Sequence, residues 1–253
     1  MKMNKKKLLF ATLAFAITFS FLTFRDAHAA TLLDTLGLSG NGGTQDVATS
    51  IKILLVLTVL SLAPSIIIMM TSFTRIIIVL SFIRNALGLQ QTPPNQVLIG
   101  LALILTFFVM TPVIKDIQKN AYEPYIANQI TQGEALKAAE KPIREFMLKQ
   151  TYTKDLNMFL SLRKQATPKS YDDISLDIII PAFIISELKR AFQIGFFIFV
   201  PFIVIDMVVS STLMSMGMMM LPPSMISLPF KIMLFVLVDG WNLVIKTLLV
   251  SFK

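Results

Sequence analysis

The stretch ILLVLTVLSLAPSIIIMMTSFT, Ile53 to Thr74, carries no charge over 22 residues. As a helix it would measure about 33 Å at 1.5 Å per residue. A bilayer's hydrocarbon core is about 30 Å thick, so the stretch is long enough to span one. Pro64 lies mid-segment and predicts a kink, which neighbouring helices tolerate in a membrane. An integral membrane protein of α-helices follows, because an unpaired backbone group in lipid is costly and a helix satisfies its own.

Composition agrees. The 253 residues are 55% apolar, with a mean hydropathy of +0.71, too apolar for an ordinary soluble domain. The net charge of +8 is no nucleic-acid signal, since Lys2, Lys5, Lys6, Lys7 and Arg25 against Asp26 supply half of it. Those residues belong to a secretory signal peptide, 1–29: a basic start, an apolar core from Leu8 to Phe24 and the ending Ala27-His28-Ala29. Cleavage between Ala29 and Ala30 removes the only histidine, and the chain has no cysteine. Disulfides, thiol nucleophiles, His triads and Cys/His metal sites are thereby excluded from the mature chain.

Residues 30–50 are rich in Gly, Ser, Thr and Asn and read as a linker. Residues 51–114 form a first apolar hairpin: Arg75 and Arg84 mark a cytoplasmic loop by the positive-inside rule, QQTPPNQ (90–96) turns, and Val97 to Met110 returns. Residues 115–177 carry ten Lys/Arg and nine Asp/Glu in helix-favouring sequence, with Glu134 and Glu145 placed to pair with Lys137 and Lys149. They read as a small helical extracytoplasmic insert.

The second hairpin, 178–253, is less simple. Glu187, Lys189 and Arg190 interrupt its apolar run after nine residues, and Asp206 follows. On the returning arm Lys231, Asp239, Asn242 and Lys246 share about an 80° arc at 100° per residue. Charge in lipid is expensive, so this stripe must face protein or water. Four apolar segments are too few to surround a wide channel, which predicts an oligomer. An ion pair of Glu187 with Lys231, within or between subunits, would satisfy both. Glu187, Asp206 and Asp239 as a proton relay offer a competing transporter reading.

Between the two arms lies LMSMGMMMLPPS, Leu213 to Ser224. Pro222-Pro223 cannot continue a helix, so Met216, Met218, Met219 and Met220 sit at a turn. Methionine is flexible and polarisable. Its clustering here fits either gap-filling core or a soft plug lining an opening.

Several stretches resemble the FliP family of flagellar biosynthesis proteins: TSFTRIIIVLSFIRNALG (71–88) with QQTPPNQV (90–97), PAFIISELKRAFQIGFF (181–197), IDMVVSS (205–211), MGMMMLPP (216–223) and DGW (239–241). The resemblance covers 50–253 nearly end to end. It implies a non-enzymatic, cofactor-free subunit of the type III export gate in the basal body at the cell membrane. Several copies, typically five, join FliQ and FliR beside FlhA and FlhB, and exported flagellar proteins pass through. It implies hairpins that rise out of the bilayer plane and a methionine gasket of Met216, Met218, Met219 and Met220. It also implies a buried inter-subunit pair of Glu187 with Lys231. The equivalent subunit of a virulence injectisome is the alternative machine; the signal peptide and linker favour the flagellar one.

Overall fold

A computed structural model describes residues 44–163, 174–218 and 220–252. The signal peptide, its cleavage site at Ala29 and Ala30, and most of the linker lie outside these residues. The described chain is helical: α1 (Thr44–Met69), α2 (Phe73–Ala86), α3 (Asn95–Ile117), α4 (Gln132–Gln150), α5 (Thr153–Leu162), α6 (Leu176–Ser215), α7 (Pro223–Leu237) and α8 (Gly240–Val250). Among the described residues three helices are long and apolar enough to cross a membrane, or four if the bent α7–α8 pair counts as one. Three to four long apolar helices are consistent with the integral membrane class expected from sequence.

The chain divides into two compact units at Pro64/Ser65, and α1 runs across that boundary. It continues through Pro64, and its apolar window, Ile51–Met69, has no buried residue. The uncharged run from Ile53 is thus not one helix: it ends at Met69, and α2 starts at Phe73.

In the second unit α2 is the central helix. Its Ile76, Val79, Leu80, Ile83 and Ala86 are fully buried, a spacing of three and four that makes one stripe. The stripe packs with Leu98, Ala102 and Leu105 of α3 and Ala191 and Phe202 of α6. Gly195 of α6 makes room for a side chain of α2: a Cβ there would lie 2.5 Å from the Phe82 ring. The α2–α3 loop is held by Arg84, whose Nη1 donates to Asn95 Oδ1 at 2.6 Å and Pro93 O at 3.3 Å. Neither Arg84 nor the buried Arg75 is a free loop cation. Beyond α3 the helix continues through a π turn, Gln118–Tyr122, to Ile126.

α6 is the long axis of this unit, 40 residues or about 60 Å, twice a hydrocarbon layer. The charges at 187–190 interrupt the apolar pattern without breaking the helix, since Glu, Lys and Arg are good helix formers. The insert packs on its first half: Met147 of α4 and Leu156 and Leu160 of α5 share a core with Ile178, Ile179, Ala182 and Phe183. A capping box at Thr131 and Glu134 starts α4. The ion pair along α4 is Glu140 with Arg144, and the predicted partners of Glu134 and Glu145 do not form ion pairs among the described residues.

A polar clasp fastens the insert. Asp155 is buried on α5, and Ser186 Oγ donates to its Oδ2 at 2.9 Å while Lys189 Nζ pairs with its Oδ1. Ser186 accepts in turn from the Tyr152 N–H at 3.0 Å. Burial alone would raise the Asp155 pKa; the hydrogen bonds from Lys189 and Ser186 outweigh it and hold the carboxyl below its usual value. The clasp therefore stabilises fully above about pH 4, the unfolded aspartate value, and is lost as pH falls through the lower folded one. Asp155→Asn is expected to cost about 1.5–3 kcal/mol at neutral pH and to flatten that part of the acid-unfolding curve. An acid limb identical to that of the parent would contradict the clasp.

Candidate functional site

The methionine turn is built by its neighbours. α6 ends on Gly217, at φ +74, and Met218 N–H donates to Leu213 O at 3.0 Å while Gly217 N–H donates to Met214 O at 3.1 Å. This is a Schellman arrangement, in which glycine takes the left-handed position without a Cβ penalty. Pro222 then caps α7 and Pro223 occupies its first turn, where a missing N–H costs nothing. Between these two stops the methionine side chains are left at the tip. Met216 is 66% exposed, Met218 42% and Met220 97%; Met219 lies outside the described residues. In the single chain the three described methionines fill no core.

Below the turn, α6 and α7 are joined by a charged clamp. Lys231, buried on α7, donates to Asp206 Oδ2 on α6 at 2.6 Å, and Ser227 Oγ donates to Asp206 Oδ1 at 2.5 Å. The partner of Lys231 within the chain is thus Asp206, not Glu187. Those two acids are 19 residues apart on one helix, about 28 Å, too far for one lysine to serve both.

The polar stripe of the last segment is also revised. A 100° step holds only along an unbroken helix, and the helix breaks at Asp239, which takes φ 49 and ψ 52; α7 and α8 meet at 65°. Gly240 permits this bend, because a Cβ there would lie 2.3 Å from the Phe235 ring. Phe235 stacks edge-on against Trp241. Lys231 is buried, whereas Asp239, Asn242 and Lys246 are exposed, with Asn242 Nδ2 donating to Asp239 Oδ2 at 3.1 Å. Asp206 is clamped by Lys231, Glu187 is enclosed elsewhere, and Asp239 faces out, so the three carboxylates make no relay within the chain.

Glu187 belongs to a buried cluster whose centre is Arg75, both fully buried. All five guanidinium N–H groups find acceptors. Nε donates to Glu187 Oε2 at 2.9 Å, and Nη2 donates to Glu187 Oε1 and, at 3.0 Å, to Gln150 Oε1. Nη1 donates to Ser251 O and Ser251 Oγ, each at 2.9 Å. The guanidinium lies 3.9 Å from the centre of the Phe252 ring, and Gln150 Nε2 donates to Phe252 O at 3.0 Å. Arg190 adds a bond to Gln150 Oε1 at 2.8 Å and lies over the Tyr152 ring. Arg75 thereby ties α2, the end of α4, α6 and the segment after α8 into one body. Sequence reasoning placed Arg75 in a loop. The available signal was two opposite charges, Arg75 and Glu187, each inside a long apolar run where a lone charge is expensive.

Among the described residues no cluster of His, Cys, Asp or Glu could hold a metal ion. The chemistry the arrangement offers is mechanical: a fixed body, a clamped hairpin and a soft apolar tip.

Comparison with known proteins gives these features a setting. The model of the FliP family matches residues 56–248. A flagellar biosynthetic protein FliP of Bacillus subtilis is 58% identical over 217 residues, covering 86% of this chain and 98% of that protein. FliP of Pectobacterium carotovorum is 52% identical over 212 residues, 84% of this chain and 82% of that protein. FliP of Aquifex aeolicus is 50% identical over 213 residues, 83% and 89% respectively.

Proposed function

The chain belongs to the FliP family of flagellar biosynthetic proteins, which are non-enzymatic, and from that premise we propose that it is the pore-forming core subunit of the flagellar type III export gate. It assembles with copies of itself, as a pentamer, and with FliQ and FliR. FlhA and FlhB stand beside it, and unfolded flagellar proteins pass through. The observation that carries the reading is the exposed methionine tip on a clamped hairpin. Repeated around a ring, such tips close an opening with side chains that yield to a passing chain and repack behind it. The insert lies on the extracytoplasmic side, and the signal peptide directs the N-terminus there.

Unsatisfied apolar surface supports assembly. A cavity of about 540 Å³ opens between α6, α7 and α8, lined by Ile198, Pro201, Phe202, Leu234, Val238 and Val244 among others. Phe196 and Phe197 beside it are 61% and 74% exposed. Patches of this kind mark protein or membrane contacts. Assembly is also where Glu187 of one subunit and Lys231 of the next would pair, each leaving its intrachain partner. Lys231→Met, which leaves the Arg75–Glu187 pair in place, should lower the yield of oligomers more than Asp206→Asn, which breaks only the intrachain clamp; equal losses remove that contact.

Deleting the gene in a flagellated host tests the function. Loss of flagella and of exported filament protein, restored by the intact chain, is the expected result. Normal flagella with loss of effector secretion would assign the chain to an injectisome instead.

A further inference from the structure

A second cavity, of about 620 Å³, lies against α3, the end of α4 and α8. Its wall is apolar, with Phe108 and Pro112 from α3 and Ile245 and Leu249 from α8, and two cations line it, Lys149 and Lys246. Both lysines are exposed, and neither takes part in an ion pair among the described residues. The only other polar side chain lining it is Asn242, and no carboxylate lines it among the described residues. Its position along α3 matters. Ile104, Phe107 and Phe108 are 66–68% exposed, as a lipid-facing surface would be, and the apolar run ends at Lys115 and Asp116 just past Pro112. The cavity therefore lies at the end of the apolar run of α3, beside its first charges.

We propose that this cavity is a binding site for an anionic phospholipid, with the headgroup phosphate held between Lys149 and Lys246 and an acyl chain laid along Phe108, Pro112 and Leu249. The volume lies in the range of small-molecule sites. Unpaired cations beside a membrane-facing apolar wall are the arrangement that selects anionic lipid over zwitterionic lipid. A free anion would use the lysines but not the wall, and a neutral lipid the wall but not the lysines. This site rests on the membrane setting of the unassembled chain, not on the gate reading.

Native mass spectrometry of the purified full-length chain, in detergent doped with equal amounts of phosphatidylglycerol and phosphatidylcholine, tests it. The chain should retain phosphatidylglycerol in preference. The double variant Lys149→Gln/Lys246→Gln should lose that preference by roughly thirtyfold, from two lysine contacts. The control Lys115→Gln/Lys119→Gln, exposed lysines outside the cavity, should keep it. Equal retention of both lipids by the parent, or a preference surviving in the Lys149/Lys246 variant, overturns the site. Equal loss in the control shows diffuse charge and overturns it as well. Displacement of the lipid by inorganic phosphate at matched concentration would assign the lysines to a free anion and overturn the lipid. Unchanged thermal melting of the variants, read from Trp241, the only tryptophan, establishes that they fold.

Discussion

Arg75→Met is expected to lower folding stability by about 3–5 kcal/mol, the cost of leaving a buried charge without its partner. For a chain of this size that is a fall in melting temperature of roughly 6–20 °C. The substitution keeps the aliphatic stem and removes five donors at once. Glu187, fully buried, loses the cation paired with it. Ser251 O and Gln150 Oε1 lose their bonds from the guanidinium, and Phe252 loses the cation over its ring. Arg75→Lys recovers little, because a point charge cannot reproduce a fork that serves four acceptor groups in different directions. Arg75→Met with Glu187→Leu should be closer to the parent than Arg75→Met alone, since replacing both partners by apolar groups removes the uncompensated charge. Trp241 packs on Phe235 within the same unit, so its fluorescence follows the melt. A single variant as stable as the parent would show that the cluster carries no net stability.

Gly195→Val should also be severe, and for a steric reason. A Cβ at this position meets the Phe82 ring at 2.5 Å, and the branched side chain extends further into it. Phe82 makes an edge-on contact with Phe192, with ring centres 5.3 Å apart, which opposes its swinging away. α2 and α6 must then separate, at a typical overpacking cost of about 1–3 kcal/mol or more, and assembled complexes should fall accordingly. Phe82→Ala makes room, so the double variant Gly195→Val/Phe82→Ala should recover part of the loss. Additive losses would show that the two side chains do not compete for the same space.

These two sites illustrate what was legible in the sequence. The helical membrane class followed from uncharged runs, and the turn at Leu213–Ser224 followed from the double proline. Both are local statements, and local chemistry decides them. The break after Met69 was not legible, because the uncharged run continues across it to Thr74 and no proline or glycine stands there. What distinguishes the sides is packing: the apolar window of α1 has no buried residue, while α2 has six. Charges at 187–190 suggested an interrupted segment because hydropathy registers charge but not helical continuity. Glu187 needs a partner in an apolar run, and within the chain that partner is Arg75, a residue that the positive-inside rule places in a loop. The stripe of Asp239, Asn242 and Lys246 assumed a straight helix, and a left-handed Asp239 ended it.

The methionine tip is where fold and function meet, and its conductance in the assembled complex tests the central claim most directly. Gates purified with FliQ and FliR and reconstituted in a planar bilayer should be ion-tight when closed. The triple variant Met216→Ala/Met218→Ala/Met220→Ala should assemble normally, because these side chains are exposed in the subunit, yet conduct small ions continuously. Ion-tight variant gates, assembled in parental yield, would contradict the account.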